Sequence, residues 1–272
     1  MDMNSSHSPN LKKKFGQHLM ISDEVLKNIV EYVDICKKIQ IVEVGPGTGL
    51  LTDHLIHKSD GLTCVEIDNE MVTYLENKYS SASTVKIVAG DILNMEIAEL
   101  TEDRKYIVVA NLPYSSGTKI VRHFLESSSK PEYMIVTLQK EVAHNLAALK
   151  GKQNLLSIAV GIYGSVEVLE NIGPEHFNPP PKVDSSVIRI STRKTPLVPI
   201  DEIEQLFKFA RAGFSAKRKQ LVNSLPNQLG LSSELVTELL ISTGIDPKRR
   251  PETLTIREWH KLTKNYGENY GC

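Results

Sequence analysis

Cysteine is nearly absent: only Cys36, Cys64 and Cys272 occur among 272 residues. Their odd number and the lack of any C-x-x-C pair exclude a disulfide framework and a structural zinc site, and a reducing cytoplasm is the expected compartment. Aromatic residues are scarce at 6%, with Trp259 the sole tryptophan. No apolar run approaches the length of about 18 residues that a membrane helix needs. Met1 to Lys14 is polar where a signal peptide requires an apolar core. A soluble, unexported chain with no membrane partner is therefore expected. Neither sign of charge dominates, since 32 Lys+Arg against 33 Asp+Glu leave a formal net charge of -1. Whole-chain charge thus gives no hint of nucleic acid. With 40% hydrophobic residues the chain can bury a proper core, and its length predicts one large domain plus a small one.

Short apolar runs recur at regular intervals. Ile39–Val44, Leu62–Ile67, Val85–Ala89, Tyr106–Ala110 and Tyr133–Leu138 read as buried strands, and Leu50–His57, Glu70–Tyr79 and Thr118–Glu126 between them as helices. That alternation implies βαβ units and a parallel sheet. Ser22 is placed to cap a helix running through Ile35. Beyond Gln139 the rhythm changes: Lys140–Leu149 reads as a helix, and Leu155–Ile162, Val166–Ile172 and Val183–Ser191 as strands with short joins, which favour antiparallel pairing. A mixed sheet is expected. The segment from Thr192 to Pro199 carries two prolines, and only helical periods follow it, so the boundary is set there: 1–193 and 194–272. The second part has a formal charge of +3 and the first -4, and between Gln205 and Ser233 five cations stand without an acid.

The first strand runs into Glu43-Val-Gly45-Pro-Gly47-Thr-Gly49, a loop whose glycines permit a tight turn and close backbone approach to a ligand. Glu66 ends the next strand, placed like an acid that hydrogen-bonds ribose hydroxyls. Together they imply a nucleoside-containing cofactor. The glycines fall as G-x-G-x-G instead of the dinucleotide spacing G-x-G-x-x-G, and Glu43 nearby repels phosphate while suiting an ammonium group. S-adenosylmethionine fits these features better than NAD, and Asp91 in Ala89-Gly-Asp91 offers a carboxylate for an adenine amine. A plain helix cap remains the other reading of Asp91.

At the end of the fourth strand stands Asn111-Leu112-Pro113-Tyr114, the most specific motif of the chain. The exocyclic amine of adenine is a poor nucleophile because its lone pair is delocalised into the ring. Two acceptors localise that pair: the side-chain oxygen of Asn111 and the main-chain carbonyl of Leu112 or Pro113. Pro113 stiffens the segment by fixing φ, and Tyr114 offers a face on which the base stacks, worth about 1–3 kcal/mol in single-strand binders. A turn with a core tyrosine is the alternative reading. His54 and His57 share a helix face without a third ligand, and no metal site is expected.

From Lys14-Phe-Gly-Gln-His18 through the glycine loop, Gly90-Asp91, Asn111–Tyr114, Leu138-Gln-Lys-Glu141, Phe177-Asn-Pro-Pro-Pro-Lys-Val-Asp-Ser185 and Arg211-Ala-Gly-Phe-Ser-Ala-Lys-Arg-Lys219, the chain resembles the ribosomal RNA adenine N6,N6-dimethyltransferases over nearly its whole length. It resembles specifically the small-subunit enzymes that dimethylate two adjacent adenosines of the 3′-terminal hairpin loop. The resemblance implies a Rossmann-like α/β fold with a mixed, mainly parallel seven-stranded sheet and a small all-helical C-terminal domain. It implies that Gln17, His18, Met20, Glu43, Gly45, Gly47, Glu66, Ile67, Asp91, Ile92 and Asn111 hold S-adenosylmethionine. Asn111, Leu112, Pro113 and Tyr114 would receive the adenine, and Phe177 would close over it from the opposite side. Lys12, Lys13, Lys14, Arg211, Lys217, Arg218, Lys219, Lys248, Arg249 and Arg250 are the expected phosphate contacts to small-subunit RNA within a pre-30S particle. A monomer is expected, since no second apolar stripe asks for a partner. His18 and Leu19-Met20 stand where the family often has Asn and Phe-Leu, and Gln153-Asn154-Leu155 where it has Tyr-Gly-Arg. Macrolide-resistance enzymes of the same family, a non-catalytic assembly factor and a nicotinamide oxidoreductase are the alternatives.

Overall fold

The computed structural model describes residues 18–34, 39–148, 152–216 and 218–270. Lys12, Lys13, Lys14, Gln17 and Lys217, all expected at the site or the RNA surface, lie outside the described residues, as do Ile35, Cys36 and Cys272. The chain divides into two units, one of residues 1–143 and 166–192, the other of 144–165 and 193–272.

In the first unit β1 (Leu19–Met20), α1 (Asp23–Glu31), β2 (Gln40–Val44), α2 (Leu50–Leu55), β3 (Leu62–Glu66), α3 (Asn69–Lys78), β4 (Val85–Ala89), α4 (Ile97–Thr101), β5 (Tyr106–Asn111), α5 (Gly117–Glu126) and β6 (Tyr133–Gln139) follow in order. The chain then passes through α6 (Lys140–Ala147) and α7 (Leu155–Tyr163) before β7 (Gly164–Ile172), β8 (Phe177–Asn178) and β9 (Ser185–Thr192). Seven strands form one sheet in the order β4-β3-β2-β5-β6-β9-β7. β2, β3, β4, β5 and β6 pair in parallel, and β9 runs antiparallel to β6. This is the mixed, mainly parallel α/β sheet expected. Strand order reverses between β2 and β5, and in open α/β sheets ligands bind beyond the carboxyl ends of strands at such a reversal.

Every residue of β2 and β3 is buried, as are Tyr106 to Ala110 of β5. Parallel strands covered on both faces read as near-continuous apolar runs, interrupted here by the buried Gln40, Glu43, Thr63 and Glu66. Ser22 caps α1 by accepting the Val25 N–H at 3.5 Å, and Val25, Leu26, Ile29 and Val30 enter a core shared with Ile41, Leu55, Ile107 and Ile135.

One element differs in kind from the expectation. Leu155–Ile162, expected as a strand, is helix α7. A short run that is apolar on every side has no period to tell a buried strand from a buried helix. The deciding signal is local: the Asn154 side chain accepts the N–H groups of Leu156 and Ser157, and the Ser157 hydroxyl accepts the Asn154 N–H, a complete capping box. The residues from 144 to 165 therefore join the helical unit, not the sheet-bearing one. Smaller differences lie at ends: the helix after Ser22 stops at Glu31, and the last strand starts at Ser185, past the exposed Val183. The two-residue β1–β8 pair was not foreseen, being too short to show alternation.

The second unit is helical among its described residues. α7, α8 (Ile203–Phe214), α9 (Leu221–Leu229), α10 (Ser233–Ser242) and α11 (Ile256–Tyr270) enclose a core of Leu206, Phe209, Leu225, Leu239, Trp259 and Leu262. No helix among the described residues is long and apolar enough to cross a membrane.

Candidate active site

The loop between β2 and α2 holds Gly45, Gly47 and Gly49 at φ of 68°, 58° and 79°, a left-handed region that side chains disfavour. At Gly47 a Cβ would also lie 2.6 Å from Leu19 Cδ2. The Gly47 N–H donates to Glu66 Oε2 at 3.1 Å, and the Asp68 N–H donates to Oε1 at 3.0 Å. Glu66 thus fixes the glycine loop while lining a cavity beside it. Burial pushes its carboxyl above the usual carboxylate range, and the main-chain donors oppose that shift. Each oxygen retains a lone pair for a hydroxyl donor.

Asp91 follows β4 and accepts the Leu93 N–H on Oδ1 at 3.0 Å. The cap and the ligand acceptor are compatible, because Oδ2 takes no part in that bond. Ile67, 45% exposed, and the buried Ile92 supply apolar walls.

Asn111 ends β5 and turns its amide toward β1. Its Nδ2 donates to the His18 carbonyl at 2.9 Å, which fixes the amide's orientation, since a carbonyl accepts only from the nitrogen. Asn111 Oδ1 is consequently buried with no hydrogen-bond partner among the described residues. The Pro113 carbonyl is taken up by the N–H groups of Ser116 and Gly117 at 3.2 and 2.8 Å. Of the two carbonyls considered for the amine, that of Leu112 is therefore the better placed. The Tyr114 hydroxyl lies 2.6 Å from Ser185 Oγ, and burial pushes the phenol's pKa up. The His18 ring stacks on Tyr114 with centroids 5.2 Å apart, and His18 Nδ1 lies 2.7 Å from the Pro179 carbonyl oxygen.

These groups line one cavity of about 220 Å³: His18, Gly45, Gly47, Glu66, Ile67, Asp91, Ile92 and Asn111 through Tyr114. Sequence reasoning missed Leu19, Leu93, Ser115, Ser116 and Ile120, which also line it. Leu93 and the two serines adjoin motif residues, so proximity in sequence was the available signal. Three expected members lie elsewhere. Phe177 is 2% exposed and packs with Met20 in the core, paired to it across β8 and β1, so it does not face the cavity. Met20 and Glu43 instead line a smaller hollow behind the glycine loop, which shares Leu19, Gly45 and Asn111 with the main cavity. The Glu43 carboxylate accepts from Thr52 Oγ1 at 2.7 Å and Cys64 Sγ at 3.6 Å, and its burial raises its pKa to about 7. At that pKa it no longer acts as a fixed anion toward phosphate or ammonium.

The donor set tests which cofactor fits. Two carboxylates and no Lys or Arg line the cavity among the described residues. A pyrophosphate would find no cation there, whereas ribose hydroxyls, an adenine amine and a positively charged sulfonium group find acceptors. The residues fit S-adenosylmethionine.

In the helical unit Arg211, Arg218, Lys219, Lys248 and Arg250 are exposed. The Leu221 N–H donates to the Arg249 carbonyl and the Val222 N–H to that of Pro247, which brings the 218–219 and 248–250 clusters side by side. Arg249 itself is engaged: its guanidinium pairs with Glu258 and reaches Thr253, so it braces the loop before α11.

A family model described as ribosomal RNA adenine dimethylase matches residues 8–268. A ribosomal RNA small subunit methyltransferase A of Dehalococcoides mccartyi is 38% identical over 269 residues, 98% of this chain and 92% of that protein. The enzyme of the same name from Bacillus cytotoxicus is 36% identical over 272 residues, 96% of this chain and 93% of that protein. Among solved structures, a dimethyladenosine transferase from Plasmodium falciparum superposes with a TM-score of 0.78 at 23% identity, covering 92% of this chain and 98% of that one. The 23S rRNA methyltransferase ErmE gives 0.72, also at 23% identity, with 90% and 98% covered. Those two likenesses concern the fold. The match across nearly the full length, on top of an Asn-Leu-Pro-Tyr segment placed at the switch point of the sheet, establishes that this chain belongs to the ribosomal RNA adenine dimethylase family.

Proposed function

We propose that the cavity receives, in turn, two adjacent adenosines from the 3′-terminal hairpin loop of small-subunit RNA, and that the chain acts on them as a cytoplasmic monomer bound to a pre-30S particle. Family membership makes this an S-adenosylmethionine-dependent ribosomal RNA adenine dimethyltransferase of the small-subunit kind. The observation that carries the reading of the site is Asn111 Oδ1, a buried acceptor without a partner among the described residues. Such an atom costs about 1–3 kcal/mol while unpaired, and an incoming exocyclic amine supplies the missing N–H.

The bound cofactor supplies an electrophilic methyl group. Glu66 would accept its ribose hydroxyls and Asp91 its adenine amine, with the main chain of Gly45 and Gly47 passing close. Asn111 Oδ1 and the Leu112 carbonyl accept the two N–H bonds of the target amine, which withdraws its lone pair from the ring. Pro113 holds that carbonyl segment rigid, and the Tyr114 ring carries the stacked base. No strong base is required, because alkylation itself makes the remaining proton acidic. A loop substrate lowers the cost of a few kcal/mol for taking a base from its stack. Arg211, Arg218, Lys219, Lys248 and Arg250 hold the flanking phosphates.

Unmodified 30S particles incubated with labelled cofactor, followed by nuclease mapping and mass spectrometry, test this reading. Two neighbouring adenosines each carrying two methyl groups are expected. Methylation of a single adenosine, or of large-subunit RNA only, overturns it.

A further inference from the structure

Tyr114 is held from outside its own loop. Its hydroxyl and the Ser185 Oγ share a hydrogen bond of 2.6 Å, although Tyr114 follows β5 and Ser185 begins β9, with β6 lying between those strands. Ser185 is completely buried, so its hydroxyl is shielded from competing water.

The end of β9 that carries Ser185 is pinned on several sides. Ser185 pairs in register with Gln139 of β6. The next residue in β6's chain direction, Lys140, donates its N–H to the Asp184 carbonyl at 2.9 Å, and its Nζ meets Asp184 Oδ2 at 3.0 Å. Ser186 Oγ donates to Asn171 Oδ1 at 2.7 Å. An anchor so fixed defines where the far end of the Tyr114 ring can lie. The near end is set by the turn that Pro113 closes through its carbonyl. With both ends fixed, the long axis of the ring is set, and because a phenol O–H prefers to lie in the ring plane, the bond to Ser185 also favours one tilt about that axis, which a stacked base inherits. A ring released at the hydroxyl can rotate about its side-chain torsions and present a range of planes.

We infer that Ser185 is a positioning residue for methyl transfer: its buried hydroxyl holds the Tyr114 ring in the plane against which the target base stacks. The inference rests on the reading of Tyr114 as the stacking surface, so the experiment separates the two. Methyl transfer to unmodified 30S particles is measured for Ser185→Ala, Tyr114→Phe, the double variant, Ser185→Thr and Tyr114→Ala, with cofactor binding followed by calorimetry. Ser185→Ala and Tyr114→Phe break the same bond from opposite ends. Each should lower kcat/KM by roughly 5-fold, the worth of one hydrogen bond. The double variant should fall no further, Ser185→Thr should recover most of the loss, and cofactor affinity should not change. If the two single effects multiply, or if Ser185→Ala lowers Tm and leaves kcat/KM intact, the positioning role is wrong. Should Ser185→Ala fail to fold, Tyr114→Phe still reads the bond, and wild-type kcat/KM in that variant overturns the inference. Tyr114→Ala reports on the stacking surface alone: full activity there removes the underlying reading, whereas a large loss beside a normal Tyr114→Phe removes only the part assigned to Ser185.

Discussion

The Glu43 carboxylate, sealed behind the glycine loop with Thr52 and Cys64, carries a pH dependence that can be measured. Burial lifts its pKa to about 7 in the folded chain, well above the value of about 4.3 expected when unfolded. The folded state therefore binds the proton more tightly, and stability falls as pH rises between those two values. Glu43→Gln keeps an acceptor for the Thr52 hydroxyl and removes the titration. Its Tm relative to wild type should rise as pH is taken from 5 to 8, as read by calorimetry; a difference independent of pH would contradict the assignment. The motif around Glu43 was legible in the sequence, but the direction of its side chain was not. Residues alternate faces along a strand, and a one-position difference separates the cavity from the hollow behind it. Phe177 illustrates the same limit, since a two-residue strand has no alternation to read. The orientation of the Asn111 amide depends on the His18 carbonyl, a partner 93 positions away that no local pattern announces.

Among the elements, the parallel core strands were readable because burial on both faces writes a nearly continuous apolar run. α7 was not, for the same reason: burial all round also erases the helical period, and only the Asn154–Ser157 cap marks its start. The packing of α8 against α11 supplies a sharper test. A Cβ on Gly213 would lie 2.7 Å from Trp259 Cη2 and 3.3 Å from Pro251 Cβ, and Trp259 is fully buried. Gly213→Ala should destabilise the protein by about 1–3 kcal/mol through overpacking, despite the better helix propensity of alanine. Urea unfolding followed by tryptophan fluorescence measures this directly, because Trp259 is the only tryptophan. Unchanged stability would mean that the ring moves aside without cost.

Across the whole molecule, a formal charge of -1 conceals the cations gathered in the second unit. Their separate clusters were visible in the sequence; that the 218–219 and 248–250 segments meet, and that Arg249 is spent on Glu258, required the fold. Arg218→Glu with Lys219→Glu should weaken binding to unmodified small subunits and lower the slope of log affinity against log salt by about 1–2. Arg249→Ala should instead lower Tm, with the smaller change in salt slope. Equal slopes for all variants in a filter-binding titration would detach this surface from RNA. At the site itself, the buried Asn111 Oδ1 is the acceptor for an adenine amine. The most direct test of that role is the single-turnover rate of methyl transfer to unmodified small subunits, at saturating cofactor and particle, for wild type and Asn111→Ala. A fall of about 100-fold or more is predicted, in line with the loss of one preorganised polar contact at a reacting group. Equal rates for the two proteins would contradict it.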